Sequence, residues 1–256
     1  MKVLVVTPTY GRLPFLGRMV ASFLSQTHEN SDLVIINDDP NVNIKFDHER
    51  VFILNINKKL ILDVKKNIGA VMGKDYDLIM PLDDDDIFFP EQISYHVRKF
   101  QENPHIQMYR NIRSYIVYGG KFEEGVNAPN AIAYTPDLYF DIKGYQHFSK
   151  NSGGDSVFYG KISNDKKIAI KDEENIHFVY NFGAINYHLS CIGDESKLPA
   201  IAEQQLKSLN CGGIFEIKPD YEEFQKFINM RDLFIERGKT PISVKSLSEG
   251  KIIFDI

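Results

Sequence analysis

Nowhere does this chain run to the roughly 20 consecutive apolar residues that a membrane-spanning helix needs. The opening stretch Met1-Lys2-Val3-Leu4-Val5-Val6-Thr7-Pro8 turns polar after too few apolar residues for a signal-peptide core. A soluble, cytoplasmic protein is the expectation. Cysteine is scarce: Cys191 and Cys211 stand alone without metal-type spacing, which suits idle thiols in a reducing compartment rather than a disulfide scaffold. Basic excess is missing too, with a net charge of −5, so no global field attracts nucleic acid. There is no Gly-x-Gly-x-x-Gly after a strand and no Gly-x4-Gly-Lys-Ser/Thr, which argues against Rossmann dehydrogenases and P-loop ATPases. Internal repeats, low-complexity tracts and obvious linkers are likewise absent.

What the chain has is apolar residues enough, 43% of 256, to bury a sizeable core as one large domain or a domain with an appendage. It also has four consecutive aspartates, Asp83 to Asp86, directly after the apolar run Leu78-Ile79-Met80-Pro81-Leu82 and before Ile87-Phe88-Phe89. Solvated acidic tails lie among polar neighbours, whereas these carboxylates sit where a core strand ends. Adjacent carboxylates repel, and holding them against apolar surroundings is costly unless a cation binds them. An oxygen-loving divalent metal is the natural partner, and Mg²⁺ or Mn²⁺ commonly brings a phosphorylated ligand. A solvated loop is the alternative, but the apolar flanks oppose it.

Val3–Val6, Leu33–Ile36, Val51–Ile56 and Tyr76–Leu82 read as buried strands, with helices over 16–26 and 61–72. That order predicts an α/β fold with a mainly parallel sheet flanked by helices. Ligands of such sheets bind beyond the carboxyl ends of the strands. Thr9-Tyr10, Asp38-Asp39 and Asp83–Asp86 all fall at such ends, so three polar clusters are expected to converge on one crevice. A helix over 91–102, a mixed segment to about Ile192, helices over 195–209 and 220–236, and a closing strand over 251–254 complete the pattern.

Over residues 3 to 193 several motifs fall in a recognisable order. They are Val5-Val6-Thr7-Pro8-Thr9-Tyr10-Gly11-Arg12, then Ser22-Phe23-Leu24-Ser25-Gln26-Thr27, then Val34-Ile35-Ile36-Asn37-Asp38-Asp39. Lys66-Asn67-Ile68-Gly69-Ala70 and Pro81-Leu82-Asp83-Asp84-Asp85-Asp86-Ile87 with Pro90-Glu91 follow. Together they resemble the family 2 glycosyltransferases of the GT-A fold, inverting enzymes that use nucleotide sugars. Asp39-Pro40 departs from the family's Asp-Gly-Ser, and Lys66 stands in place of an arginine.

The resemblance implies a site. Asp38 would accept a hydrogen bond from a nucleobase imide in a pocket lined by Pro8, Thr9 and Tyr10. Asp83 would contact the ribose or the metal, and Asp85 would ligate Mn²⁺ or Mg²⁺ bridging the diphosphate, with Asp84 and Asp86 supporting or solvated. Arg12 and Lys66 would add charge near the phosphates, although an arginine and a lysine can equally be surface residues, and Asn67 would join them in binding the donor. Gly153-Gly154-Asp155-Ser156 resembles the family's Glu-Asp box with the glutamate replaced, making Asp155 the general base. An aspartate capping the helix that starts near Ser156 would occupy the same place. His188, in Asn186-Tyr187-His188-Leu189-Ser190, resembles the histidine near metal and diphosphate, and a packed histidine is the plainer alternative.

The implied organisation is a GT-A catalytic domain over 1–193, with a nucleotide-sugar half at 1–90 and an acceptor half at 91–193, followed by a C-terminal helical extension over 194–256. The implied reaction transfers a sugar from a UDP-sugar, with GDP or TDP open, to the hydroxyl of a glycan or surface-polysaccharide precursor. A hydroxylated base in nucleic acid, as in phage DNA modification, is the other acceptor. Basic side chains beside Asp155, from Lys143, Lys150, Lys161, Lys166 and Lys167, would favour it. A non-catalytic nucleotide-binding protein on the same scaffold, and a nucleotidyltransferase that releases pyrophosphate, are the remaining readings. Oligomeric state is left open.

Overall fold

A computed structural model describes residues 1–126, 131–145, 158, 167–181, 213–246 and 252–254. β1 (Val3–Thr9) is buried on both faces and turns into α1 (Leu13–Leu24), whose first turn accepts Pro14 because that amide needs no helical partner. β2 (Ser31–Asn37), β3 (Asn43–Lys45), β4 (Val51–Asn55), α2 (Leu62–Met72), β5 (Leu78–Pro81) and β6 (Ile87–Phe88) follow. Then come α3 (Gln92–Glu102), β7 (Met108–Asn111), β8 (Arg113–Tyr118), β9 (Lys121–Val126), β10 (Ile132–Tyr134) and α4 (Pro136–Asp141). β11 (Ile168–Lys171), β12 (Phe178–Tyr180), β13 (Ile214–Glu216), α5 (Tyr221–Glu236), β14 (Ile242–Ser246) and β15 (Ile252–Phe254) complete the described elements.

Seven strands form the central sheet in the order β11-β7-β10-β5-β1-β2-β4. Its β5-β1-β2-β4 half is parallel, and β10 runs antiparallel to both of its neighbours. The residue alternation of a strand sorts the core. Val3, Val5, Leu33, Ile35, Leu78 and Met80 pack on one face with α1, while Leu4, Val6, Val34, Ile36 and Ile79 pack on the other. Glycine lets α2 lie close on β1: a Cβ at Gly69 would stand 2.2 Å from Val6 Cγ1.

The four strands and two helices expected before the acid run are present within a few residues, and β3 is an addition. So are the helices near 91–102 and 220–236. The expected helix over 195–209 and the boundary near 193 lie outside the described residues. From 213 onward the chain is part strand: β13 pairs with β3, and β14 pairs with β9 in a second sheet ordered β15-β14-β9-β8-β12-β6. α5 starts where Asp220 caps Glu223 N–H at 2.9 Å. It buries Phe224, Phe227, Met230 and Phe234 against Phe89, Tyr115 and Phe122. No helix among the described residues is long and apolar enough to cross a membrane.

Candidate active site

The strand register brings the polar clusters to one edge. Thr9 lies opposite Asn37 and Val6 opposite Pro81, so the ends of β1, β2 and β5 open side by side. The expected convergence is found, and basic side chains bridge it. Arg12, just before α1, reaches the acids: its Nη2 is 2.6 Å from Asp84 Oδ1 and its Nη1 2.8 Å from Asp85 Oδ2. Lys65 Nζ donates to Asp38 Oδ1 at 2.7 Å and to Thr9 O at 3.2 Å. Lys66 Nζ lies 3.8 Å from Asp83 Oδ1.

The acid turn is held from behind by α1. Asp86 N–H donates to Asp83 O at 3.1 Å, closing the turn, and buried Arg18 donates to Asp85 O at 3.2 Å. Ser22 Oγ donates to Phe88 O at 2.7 Å and accepts from Phe88 N–H at 2.9 Å. Gln26 donates to Phe89 O at 2.9 Å and accepts from Ile93 N–H at 3.1 Å, and Thr27 N–H donates to Pro90 O at 2.9 Å. The Ser22, Gln26 and Thr27 pattern therefore pins the chain that leaves the acids.

Within the run the four carboxylates differ. Asp83 is the most exposed, its side chain 21% open, while Asp84 and Asp86 are fully buried. Neither of the latter is solvated: Asp84 faces Arg12, and Asp86 Oδ1 accepts from Asn181 N–H at 3.0 Å. Burial, with repulsion from Asp85, pushes the Asp84 carboxyl up to about 6 against the pull of Arg12. Burial alone would lower the Arg12 pKa, but Asp84, Asp85, Asp83 and Asp86 outweigh it and hold the guanidinium firmly charged. Arg18 moves the other way, to about 10, because burial dominates its attraction to Asp85 and Glu223.

Around Asp38 the geometry is closed. The carboxylate is fully buried, and besides Lys65 it accepts from Leu60 N–H at 2.7 Å. Tyr10 stands beside this pair, with Lys59 Nζ 4.8 Å and Lys65 Nζ 6.0 Å from its ring centroid. Asn67 turns to the 139–145 segment: its Oδ1 accepts from Tyr139 Oη at 2.8 Å and Tyr145 N–H at 2.9 Å, and its Nδ2 donates to Tyr145 O at 2.9 Å. Tyr145 in turn lies 5.7 Å from Lys66 Nζ and stacks on Phe158 at 4.4 Å.

The family model described as "Glycosyl transferase family 2" matches residues 4–185. The chain belongs to this family. An uncharacterized glycosyltransferase of Rickettsia bellii is 28% identical over 134 residues, which is 50% of this chain and 19% of that protein; one of Rickettsia felis matches equally over 22% of its length. The chain thus spans about a fifth of the curated relatives it matches. Among solved structures, S. aureus TarS 1-349 in complex with UDP-GlcNAc superposes with a TM-score of 0.57 at 15% identity, covering 71% of this chain and 58% of that one. The mannosyltransferase PcManGT from Pyrobaculum calidifontis, in complex with GDP-Man and Mn²⁺, superposes at 0.54 and 12% identity, covering 91% and 80%. The fold is the GT-A glycosyltransferase fold.

A divalent cation is implied for this family 2 domain, and the acid turn fits one. It offers hard carboxylate oxygens on a turn fixed from behind, where burial and then the neighbouring carboxylates raise Asp84. Asp83, at the open side, and Asp85 would be the residues to hold it. No three His, Cys, Asp or Glu side chains already converge as a cage among the described residues, and Arg12 holds Asp85 Oδ2.

Asp155 and His188 lie outside the described residues, as do Lys150, Lys161 and Lys166; Lys143 and Lys167 are described. The motifs left two site residues unread. Lys65 was overshadowed by its neighbour Lys66. Arg18 carried a signal, standing three residues after Phe15 and four before Ser22 on the buried face of α1.

Proposed function

We propose that this chain is a metal-dependent, inverting glycosyltransferase domain that moves a sugar from a nucleoside-diphosphate sugar to an acceptor hydroxyl. The observation that carries the reading is the meeting of Thr9, Asp38 and the Asp83–Asp86 turn at one sheet edge, bridged by Lys65, Arg12 and Lys66. Residues 1–90 form the donor half and 91–193 the acceptor half, with 194–256 as an extension. The donor base lies beside Tyr10 and the Asp38–Lys65 pair. UDP is favoured because TarS holds UDP and UDP-GlcNAc in its crystals, with GDP the competitor since the mannosyltransferase holds GDP-Man.

Asp83 and Asp85, with His188, would hold Mn²⁺ or Mg²⁺, which when bound supplies Lewis-acid stabilisation of the charge on the departing diphosphate. Lys66 adds positive charge beside Asp83. Asp155 takes the proton of the acceptor hydroxyl, whose oxygen attacks the anomeric carbon opposite the leaving diphosphate and inverts its configuration. A glycan or polysaccharide precursor is the favoured acceptor.

The test is turnover of UDP-sugars with Mn²⁺, with water or added saccharide as acceptor. Release of UDP that is lost in Asp85→Ala and Asp155→Asn supports the reading. UDP release unaffected by both substitutions rejects it, as does pyrophosphate release from UTP and a sugar 1-phosphate with no UDP released from UDP-sugars.

A further inference from the structure

We propose that Arg12 is a built-in counter-ion that keeps the acid turn closed to a divalent cation until a nucleoside diphosphate draws the guanidinium away. Metal and nucleotide would then bind as a coupled pair. The inference deepens the donor-site reading above and rests on it.

The guanidinium spans two carboxylates at once, 2.6 Å from Asp84 and 2.8 Å from Asp85. One of those, Asp85, would be a residue to hold the metal, so cation and guanidinium compete for its oxygen. The four carboxylates that surround Arg12 keep it firmly charged, which makes it an effective occupant in the absence of metal.

Arg12 is also built to leave. It follows Gly11, whose φ of 63° lies in the left-handed region that glycine adopts without strain, in the short turn between β1 and α1. Its side chain is 20% exposed. Arg18 offers the contrast. It is buried under the same turn, with its guanidinium 4.7 Å from the Phe15 ring and 5.2 Å from the Phe227 ring, and it bonds a backbone carbonyl. Arg18 is a fixed strut, and Arg12 is the exchangeable cation.

A diphosphate offers a guanidinium two anionic oxygens for a forked pair of hydrogen bonds, as Asp84 and Asp85 together do here. Once Arg12 turns to it, the acid turn loses its main counter-charge, and a divalent cation restores the balance. Coupling of this kind is reciprocal: whatever factor nucleotide adds to metal affinity, metal adds to nucleotide affinity.

The experiment measures Mn²⁺ held by the full chain through water-proton relaxation, with and without saturating UDP, in the wild type, Arg12→Ala, Arg12→Lys and Asp85→Asn. Circular dichroism establishes that each variant is folded. The wild type should bind Mn²⁺ about tenfold more tightly when UDP is present, within the usual range of coupling between sites. Arg12→Ala should bind Mn²⁺ more tightly than the wild type without UDP and show a smaller further gain with it, the gain that remains coming from the diphosphate oxygens themselves, and Arg12→Lys, a single point charge, should fall between. Equal Mn²⁺ affinity with and without UDP in the wild type, together with its loss in Asp85→Asn, overturns the gate and leaves the donor-site reading standing. If UDP binds but no variant holds Mn²⁺, the metal-dependent reading fails and the gate with it. Should Arg12→Ala not fold, an Arg12→Lys variant with wild-type coupling is enough to overturn the proposal.

Discussion

Lys65 Nζ stands 2.7 Å from Asp38 Oδ1, and both side chains are buried at the carboxyl edge of the sheet. Burial lowers the lysine's pKa despite the aspartate beside it, so each charge depends on the other to remain in place. The pair ties three segments together, because Asp38 also holds Leu60 N–H and Lys65 also holds Thr9 O. Lys65→Ala should therefore lose about 3–5 kcal/mol in urea unfolding, the usual cost of stranding a buried charge. Lys65→Met combined with Asp38→Asn should lose clearly less. If the two are equally destabilised, the pair carries no mutual dependence.

Asp84 makes stability depend on pH in a defined direction. Its ordinary value of 3.8 is raised to about 6, so the folded state binds the proton more tightly than the unfolded chain. Stability contributed by the neutral carboxyl is present below 3.8 and is lost as pH rises through 6. Asp84→Asn stays neutral throughout. Its stability relative to the wild type should improve by on the order of 2–3 kcal/mol between pH 4 and pH 7.5, a difference in which the other carboxylates cancel. A pH-independent offset between the two proteins would show that Asp84 ionises normally.

The sequence carried the strands and the acid run because both are local patterns. Val3–Val6 and Leu78–Leu82 are continuous apolar runs, and the polar residues after them mark where those runs end. The partnerships across the site were not legible, because they join residues far apart in the chain. Arg12 reaching Asp84 and Asp85, and Lys65 reaching Asp38, follow from strand order and helix rotation. Asn67 is instructive in the same way. Its place in the Lys66-Asn67-Ile68-Gly69 motif marks it as a donor-binding candidate but does not show that its amide clamps Tyr139 and Tyr145. The Ser22 and Gln26 motif was readable as a pattern, but its partner Phe88–Phe89 lies more than 60 residues away.

Gly69 explains one glycine of that motif by contact alone. A methyl group there would overlap Val6 Cγ1, a fully packed side chain in a strand that has no room to retreat. Gly69→Ala should destabilise the protein by about 1–3 kcal/mol, as overpacked cores do. Val6→Ala should cost a similar amount by leaving a cavity. Together they should cost less than the sum, since the added methyl fills the space the valine vacates. Thermal or urea unfolding of the four proteins gives the coupling, and simple additivity would mean that α2 shifts rather than clashes.

Ser22 links the back of the site to its acids. Its hydroxyl satisfies both backbone groups of Phe88, at 2.7 Å and 2.9 Å, in a buried place two residues beyond Asp86. Ser22→Ala removes both bonds and should lower stability by about 1–3 kcal/mol, the cost of unmet buried polar groups. Because Phe88 lies only two residues past the carboxylates, the loss should also loosen the acid turn and weaken Mn²⁺-dependent UDP binding about tenfold, in line with the sensitivity of metal sites to the groups that orient their ligands. Ser22→Cys, which keeps a weak donor and acceptor of similar size, should recover part of both effects. Stability that falls while UDP binding with Mn²⁺ stays unchanged would show that Ser22 supports the fold without ordering the turn.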